Sequence, residues 1–237
     1  MLRLITDFDG PIIDVSERYY RVYQYCLEQT KSPAQSVNQL AKDEFWQLKR
    51  SQVPERQIGI KSGLNAEQAV EFARLRRQTV HSMSYLQYDR PVPGAVATLE
   101  KIQDLGFDLV VMTMRREREL NAALEKYDLG RFFKGDRRYH LSNDYIKTKD
   151  TEDKPKLMAK ALQELPPAAD VWMVGDTEAD LIAAKMHQIK AIGVLSGIRN
   201  RSRLEIHQPD AIVNNLAEAV ATIVNSISTI KASVENN

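Results

Sequence analysis

The sequence has a single cysteine and no long apolar run. The lone Cys26 excludes an internal disulfide. It follows Tyr19, Val22 and Tyr23 at helical spacing, which favours a place in a helical core over a role as a nucleophile. No apolar stretch approaches the ~20 residues that cross a bilayer, so we expect no membrane partner. An apolar strand that begins at Leu2 leaves no room for a signal peptide, and the chain is expected to be cytoplasmic.

The chain also lacks an excess of charge of either sign. Its formal net charge is +1, which argues against nucleic acid and against a highly charged partner. A length of 237 residues permits one good core, or a core with a smaller subdomain. The last helix repeats apolar residues over about two heptads, too few for a convincing coiled coil, so packing on the chain's own sheet is favoured over a dimer seam. Monomer and homodimer both stay open.

Strand-like and helical segments alternate after residue 90. The strands are expected at 107–113, 170–175, 189–194 and 211–213, with another at 2–7 near the start of the chain. The helices between them are expected at 95–105, 116–127, 154–165 and 178–187. This alternation predicts an α/β fold with a doubly wound parallel sheet. In such a sheet, functional residues lie at the carboxyl ends of the strands.

A second kind of segment interrupts this pattern. Residues 15–90 show helical periodicity, several turn signals and few strand-like runs. The Pro- and Gly-containing stretch 91–94 then suits a hinge. We therefore predict a helical subdomain at 15–90, inserted into a core domain formed by residues 1–14 and 91–237.

Four carboxylates in two short motifs carry the chemistry. Asp7 and Asp9 end the first strand, while Asp176 and Asp180 follow the strand at 170–175. Brought to one sheet edge, these acids repel one another unless a cation lies among them, and hard oxygen ligands favour Mg²⁺. The motifs therefore predict metal-assisted phosphoryl chemistry.

Asp7 and Asp9 are suited to that chemistry by their spacing. Two residues apart at a strand end, they can face one way while Phe8 turns into the core, and Gly10 allows a sharp bend. One carboxylate can attack phosphorus and form an aspartyl-phosphate. The second can protonate the leaving oxygen and then activate water. The structural alternative is a pair of turn-forming acids.

Taken together, the motifs resemble those of the haloacid dehalogenase superfamily, in its phosphoglycolate phosphatase-like branch with a helical cap. They occur in the superfamily's order: the acidic pair Asp7 and Asp9 before Gly10, Thr113 at a strand end, Lys154 before Pro155, and the acidic pair Asp176 and Asp180. The resemblance spans residues 2 to about 215 and implies a Rossmann-type core. It identifies the inserted helices at 15–90 as the cap.

The resemblance also implies a role for each motif. Asp7 would be the nucleophile and Asp9 the general acid and base. Mg²⁺ would be held by the side chains of Asp7 and Asp176 and by the main-chain carbonyl of Asp9, with Asp180 steadying the site. Lys154 would neutralise negative charge.

Two of these roles have structural alternatives. Thr113 would bind a phosphoryl oxygen, or else would only cap the next helix. Lys154 stands among other lysines, and it is preferred because Pro155 can open a helix at its first position and so place Lys154 at the helix start.

Several residues are candidates for substrate contacts. Gly10 and Met114 lie beside the motifs, and Arg115 is either an anion clamp or a surface arginine opposite Glu117 and Glu119. In the cap, the turn-rich segment 52–63 is expected to face the site through Arg56 and Lys61, although an ordinary exposed turn is the alternative. Three further groups are expected to be only solvated or structural: the arginines at 74, 76 and 77, Glu178, and all four histidines.

The leading hypothesis is a Mg²⁺-dependent phosphatase acting on a small phosphorylated metabolite. Phosphoglycolate, sugar phosphates and nucleoside monophosphates are all possible substrates. A sugar phosphomutase would use the same acids. A dehalogenase is disfavoured by Asp9 and the acidic last motif, and a phosphonate hydrolase would need a cap lysine such as Lys61. The alternative from another class is a binding or regulatory protein that keeps the fold without turnover.

Overall fold

A computed structural model describes the backbone of residues 1–235, and the side-chain surroundings as far as residue 228. Its centre is a six-stranded sheet in which every neighbouring pair is parallel. The strands are β1 Leu2–Thr6, β4 Asp108–Arg116, β5 Arg138–Leu141, β6 Asp170–Gly175, β7 Lys190–Val194 and β8 Ala211–Val213. Their order across the sheet is β5-β4-β1-β6-β7-β8. The predicted parallel α/β fold is confirmed. The edge strand β5 was not predicted.

Helices cover both faces of this sheet. One face carries α6 Ala95–Asp104, α7 Glu117–Lys126 and α11 Leu216–Glu235; the other carries α8 Asp150–Glu164, α9 Glu178–Met186 and α10 Arg201–Glu205. Successive strand residues alternate between the two cores, so Leu4 packs with the first group and Ile5 with the second. The chain leaves β1 toward one side and later returns to the other, which makes the end of β1 the topological switch point.

A separate helical layer lies between β1 and β4 in sequence. It consists of α1 Ser16–Thr30, α2 Lys42–Arg50, α3 Glu55–Lys61, α4 Ala66–Thr79 and α5 Met83–Leu86. The layer has its own apolar core, in which the rings of Tyr23, Phe45 and Phe72 pack together around the buried Cys26. Burial raises the pKa of the Cys26 thiol to about 12, which agrees with a core residue rather than a nucleophile.

A short antiparallel ribbon joins this layer to the sheet. Its strands are β2 Ile13–Asp14 and β3 Arg90–Pro91, which pair where the helical layer begins and ends. The division into a cap at 15–90 and a core at 1–14 and 91–237 stays an interpretation that this arrangement supports.

The last helix packs on the sheet. Leu216, Val220 and Ile223 are fully buried in one of the two sheet cores, and Ile227 packs against them. The side chain of Ile230, the remaining residue of the predicted apolar repeat, lies outside the described part. Among the residues that the structure describes, no helix is long and apolar enough to cross a membrane.

Two local predictions were wrong. Helix α8 begins at Asp150, four residues before the expected start, so Lys154 and Pro155 lie in its second turn. The reason is the buried carboxylate of Asp153, which accepts a 2.9 Å hydrogen bond from the Thr148 amide and so fixes the chain into an earlier first turn. The segment 52–63 is not mainly loop, because Glu55–Lys61 forms helix α3.

Candidate active site

Three of the four predicted acids meet at the switch point. β1 lies between β4 and β6, and the Asp7 amide donates to the Val174 carbonyl at 2.8 Å, which brings the ends of β1 and β6 together. Carboxylate oxygens of Asp7, Asp176 and Asp180 lie within 4.8 Å of one another. All three side chains are buried. The fold therefore concentrates negative charge at one point on the sheet edge.

Lys154 is the cation of this cluster. Its Nζ lies 2.7 Å from Asp7 Oδ2 and also contacts Asp180 Oδ1. Burial disfavours its charge, but Asp180 and Asp7 outweigh burial and raise the pKa of Lys154. The other lysines of this region, at 147, 149 and 156, pair with acids near them in sequence instead. The structure thus brings the predicted lysine, and not its neighbours, to the acids.

The acid cluster fits a hard divalent cation. Three buried carboxylates face one ammonium group, and Asp176 Oδ1 is buried without a hydrogen-bond partner. Burial and the neighbouring Asp180 raise the pKa of Asp176 to about 7. Burial, helped by Asp180 and Asp176 and opposed by Lys154, raises the pKa of Asp7 well above its ordinary value. The single lysine does not balance the charge of three carboxylates, and a bound Mg²⁺ would supply the missing positive charge.

Close backbone approach helps to form this cluster. Gly10 has a φ of +90°, and a Cβ there would lie 2.3 Å from the Asp176 side chain. A Cβ on Gly197 would lie 1.9 Å from the same side chain. Only glycine permits both chain segments to pass this near to the carboxylate.

The Asp9 side chain is not part of the acid cluster. Its Oδ1 lies 2.7 Å from Arg115 Nη2, and its Oδ2 lies 3.1 Å from Arg18 Nη2. Burial would raise the pKa of Asp9, but Arg115 and Arg18 outweigh it and lower that pKa to about 2. The Asp9 carboxylate is therefore no member of the predicted metal set. A role for its main-chain carbonyl stays a prediction.

A buried network of four charges holds Asp9. The other members are Arg18 in α1, Asp89 just before β3, and Arg115 near the end of β4, each no more than 2% exposed. Asp89 pairs with Arg115, and its Oδ1 lies 3.0 Å from Arg18 Nε. The surface alternative for Arg115 is wrong, because its guanidinium lies inside and pairs with Asp9 and Asp89. Its contact with substrate stays a prediction. Arg18 and Asp89 were not predicted as site residues, and their only signal in the sequence was a charged residue at a core-facing position.

A cavity of about 210 Å³ opens above the acid cluster. Residues of the sheet edge and of the helical layer line it together: Asp7, Asp9, Thr113, Met114, Arg115, Lys154 and Asp176 from the former, and Tyr19, Lys49, Arg76 and His81 from the latter. Thr113 Oγ1 accepts a 3.2 Å hydrogen bond from the Arg115 amide, which leaves its hydroxyl hydrogen free to donate toward the cavity. The helix-capping alternative for Thr113 is wrong, because it binds no amide of α7.

The helical layer contributes different residues from those predicted. Arg56 and Lys61 are exposed on α3 and do not line the cavity. Arg76, expected to be solvated, does line it, because α4 packs on α3 and brings Arg76 Nη1 to 2.9 Å from Glu55 Oε1. Lys49, which also lines the cavity, was not predicted as a site residue.

His81 and Glu178 are less exposed than expected. His81 lines the cavity with its Nδ1 buried and unpartnered, and burial together with Arg18 lowers its pKa well below the ordinary value. Glu178 is not simply solvated, because its Oε2 lies 2.7 Å from Arg199 Nε. In each case the arginine beside the residue, Arg18 or Arg199, comes from a segment distant in sequence.

Comparison with known proteins agrees with this geometry. The family described as haloacid dehalogenase-like hydrolase matches residues 3–188. The parallel sheet with acids at its switch point, opposite a helical layer, is consistent with that family. The chain belongs to the haloacid dehalogenase-like hydrolase family.

Individual relatives share only low sequence identity with this chain. A phosphoglycolate phosphatase of Pseudomonas fluorescens is 23% identical over 153 residues, which are 65% of this chain and 53% of that protein. The chain thus spans about half the length of the curated relatives it matches. Among solved structures, a provisionally assigned phosphatase from Clostridium difficile has a TM-score of 0.71 at 21% identity, covering 94% of this chain and 97% of the other. A Thermotoga maritima protein provisionally assigned as a beta-phosphoglucomutase has a TM-score of 0.60 at 19% identity, covering 95% and 99%. These structures share the fold.

Proposed function

We propose that this protein is a Mg²⁺-dependent phosphatase that hydrolyses a small phosphorylated metabolite through an aspartyl-phosphate on Asp7. The observation that carries the proposal is the buried cluster of Asp7, Asp176, Asp180 and Lys154 at the floor of a cavity. The phosphatase names of its relatives support the same reaction.

Asp7 is held ready to act as the nucleophile. Its Oδ1 accepts a 2.6 Å hydrogen bond from the Phe8 amide, and its Oδ2 faces Lys154. A carboxylate oxygen of Asp7 would attack phosphorus while the ester O–P bond breaks. Water would then attack the same phosphorus, which releases phosphate and restores Asp7. Lys154 would reduce the repulsion between nucleophile and substrate, and the Thr113 hydroxyl would bind a phosphoryl oxygen.

The metal site would lie beside this nucleophile. Asp7 and Asp176 would hold Mg²⁺, and Asp180 would orient Lys154 and add negative charge near the ion. When bound, the ion would offset the repulsion between the carboxylate and the phosphate and would orient both groups.

Asp9 is proposed to move the protons. In the arrangement described, Arg115 and Arg18 keep its carboxylate ionised and lower its pKa to about 2, which makes it a weak base. Accepting a proton from the attacking water, and donating one to the leaving oxygen, would therefore both require Asp9 to separate from at least one arginine.

The size of the cavity favours a small substrate. Ligand pockets for drug-sized molecules usually enclose ~300–1,000 Å³, whereas this cavity encloses about 210 Å³. Phosphoglycolate fits this limit, and several relatives are named phosphoglycolate phosphatase. A nucleoside monophosphate is disfavoured by its bulk.

Phosphate release from a panel of phosphorylated metabolites tests this proposal, measured with Mg²⁺ and with EDTA. We expect Mg²⁺-dependent release by the wild type and none by Asp7→Asn. Asp43→Asn, an exposed acid in α2, is the matched control and should keep full activity. No release from any compound would refute the proposal. Conversion of a sugar phosphate into its isomer, without net phosphate release, would indicate the phosphomutase instead.

A further inference from the structure

One wall of the cavity carries two cations that the proposed chemistry does not use. Lys49 comes from the end of α2, and Arg76 comes from the last turn of α4. Both pack on the ring of Tyr19, with Arg76 Cζ 4.7 Å and Lys49 Nζ 5.8 Å from its centroid. The ring therefore holds the two charges close together in a largely dry setting.

These two cations share a single carboxylate. Arg76 Nη1 lies 2.9 Å from Glu55 Oε1, and Lys49 Nζ contacts the same oxygen. Glu55 does not line the cavity, whereas both cations do. Two positive charges against one negative charge leave about one positive charge facing the cavity. The other cavity-lining cations of this region are matched one to one, since Arg199 pairs with Glu178 and Lys147 with Asp150.

The guanidinium of Arg76 also has unused donors. Its Nε and Nη2 are buried and have no hydrogen-bond partner among the residues that the structure describes. These two nitrogens form one edge of the planar group, which is the edge that binds a carboxylate through two parallel hydrogen bonds. Buried donors without partners are rare in folded proteins, and an anionic group bound beside Arg76 would supply the missing acceptors.

We infer that Arg76 and Lys49 bind a second anionic group of the substrate, and that this group is a carboxylate. The inference rests on the proposed phosphatase function, and it narrows the substrate class to short phosphorylated hydroxy acids. One surplus positive charge matches the single charge of a carboxylate better than the higher charge of a second phosphate. The small volume of the cavity, about 210 Å³, favours a short spacer between the two anions.

Binding to an inactive protein tests this inference without turnover. The ligands are 2-phosphoglycolate and 2-hydroxyethyl phosphate, which differ in having a carboxylate or a neutral alcohol at the far end. Calorimetry on Asp7→Asn protein with Mg²⁺ should show at least tenfold tighter binding of the carboxylate. Adding Arg76→Leu or Lys49→Met should reduce that preference to about twofold or less.

Two exposed residues provide matched controls. Arg74→Leu removes the same charge two residues earlier in α4, and Lys42→Met removes a lysine at the start of α2. Arg74 is 56% exposed and Lys42 is 40% exposed, so both variants should retain the preference. Arg76→Lys, which keeps the charge but loses the two-nitrogen edge, should give an intermediate preference. Arg76→Lys also provides the measurement if Arg76→Leu proves too unstable to be assayed.

The outcomes separate this inference from the proposed function. Equal binding of the two ligands by Asp7→Asn, or equal weakening of both by the Arg76 and Lys49 variants, would overturn the carboxylate site. Absence of phosphate release by the wild type would overturn the phosphatase. If the protein prefers the carboxylate ligand yet releases no phosphate, the carboxylate site is supported and the phosphatase function is refuted.

Discussion

Removing Arg115 should destabilise this protein far more than removing Arg116, the next residue in the chain. Arg115 is 1% exposed and pairs with both Asp9 and Asp89. In Arg115→Met, the side chain fills much of the same space, but two carboxylates are left with Arg18 as their only nearby partner. Asp89, itself 1% exposed, cannot recover its hydration without opening the structure.

The magnitude follows from the burial of these charges. Breaking a buried ion pair by removing one partner costs about 3–5 kcal/mol. In a protein of this size, each kcal/mol corresponds to about 2–4 °C in the melting temperature. Arg115→Met should therefore melt about 6–20 °C below the wild type. Arg116 is 28% exposed, lies 3.7 Å from Glu119, and donates only long hydrogen bonds, of 3.2 and 3.3 Å, to the carbonyls of Asn143 and Tyr145, so Arg116→Met should cost about 1 kcal/mol.

Thermal unfolding followed by far-ultraviolet circular dichroism measures both variants. A double variant, Asp89→Asn with Arg115→Met, sharpens the comparison, because it removes one charge of each sign and leaves Asp9 with Arg18. We expect it to melt above Arg115→Met alone. If Arg115→Met instead melts within about 4 °C of Arg116→Met, the four charges do not act as a buried unit, and the account of how Asp9 is held is wrong.

Three further predictions concern the site. Burial, Arg76 and Arg199 lower the pKa of Lys49 to about 8, although Glu55 acts to raise it. Because Lys49 is charged only below that pH, kcat/KM for phosphoglycolate should fall above about pH 8. A fall that persists in Lys49→Arg would contradict this. Mg²⁺ at about 100 times its dissociation constant should stabilise the protein by about 2.7 kcal/mol in denaturant unfolding, and Asp176→Asn should lose most of that gain; an equal gain in both would place the ion elsewhere. Gly10→Ala should abolish phosphate release, because its Cβ meets Asp176, whereas Gly94→Ala, also at positive φ but facing open space, should stay active at some cost in stability; activity in Gly10→Ala would show that the turn can relax.

Much of the fold and of the acid cluster could be predicted because the signals are local. Nearly continuous buried, mostly apolar runs mark β1, β4 and β6, and the acids directly after β1 and β6 lie at the strand ends whatever else surrounds them. Parallel strands place those ends on one edge, so Asp7, Asp176 and Asp180 meet as expected. The short edge strand β5 was missed because four residues, half of them only partly buried, carry too little periodicity to detect.

Boundaries and partners were decided only by the tertiary structure. The start of α8 depended on the hydrogen bond that the Thr148 amide donates to Asp153, and the periodicity of apolar residues does not predict such a bond. The sequence predicted Lys154 and the acids beside it. It did not predict that Arg115 pairs with Asp9, and placed Arg115 at the substrate or on the surface, because the two residues are 106 positions apart along the chain.

The same limit applies to the cavity wall. Arg76 looks like any arginine on a polar helix face until α4 packs on α3 and buries it against Glu55 and Tyr19. By itself, the sequence determined five of the six strands of the sheet and the acids that follow β1 and β6, because backbone geometry links neighbouring residues directly. Which charges lie inside, and which donors the described chain leaves without a partner, depended on segments that meet only in the folded chain, because a charge is buried by its neighbours in space.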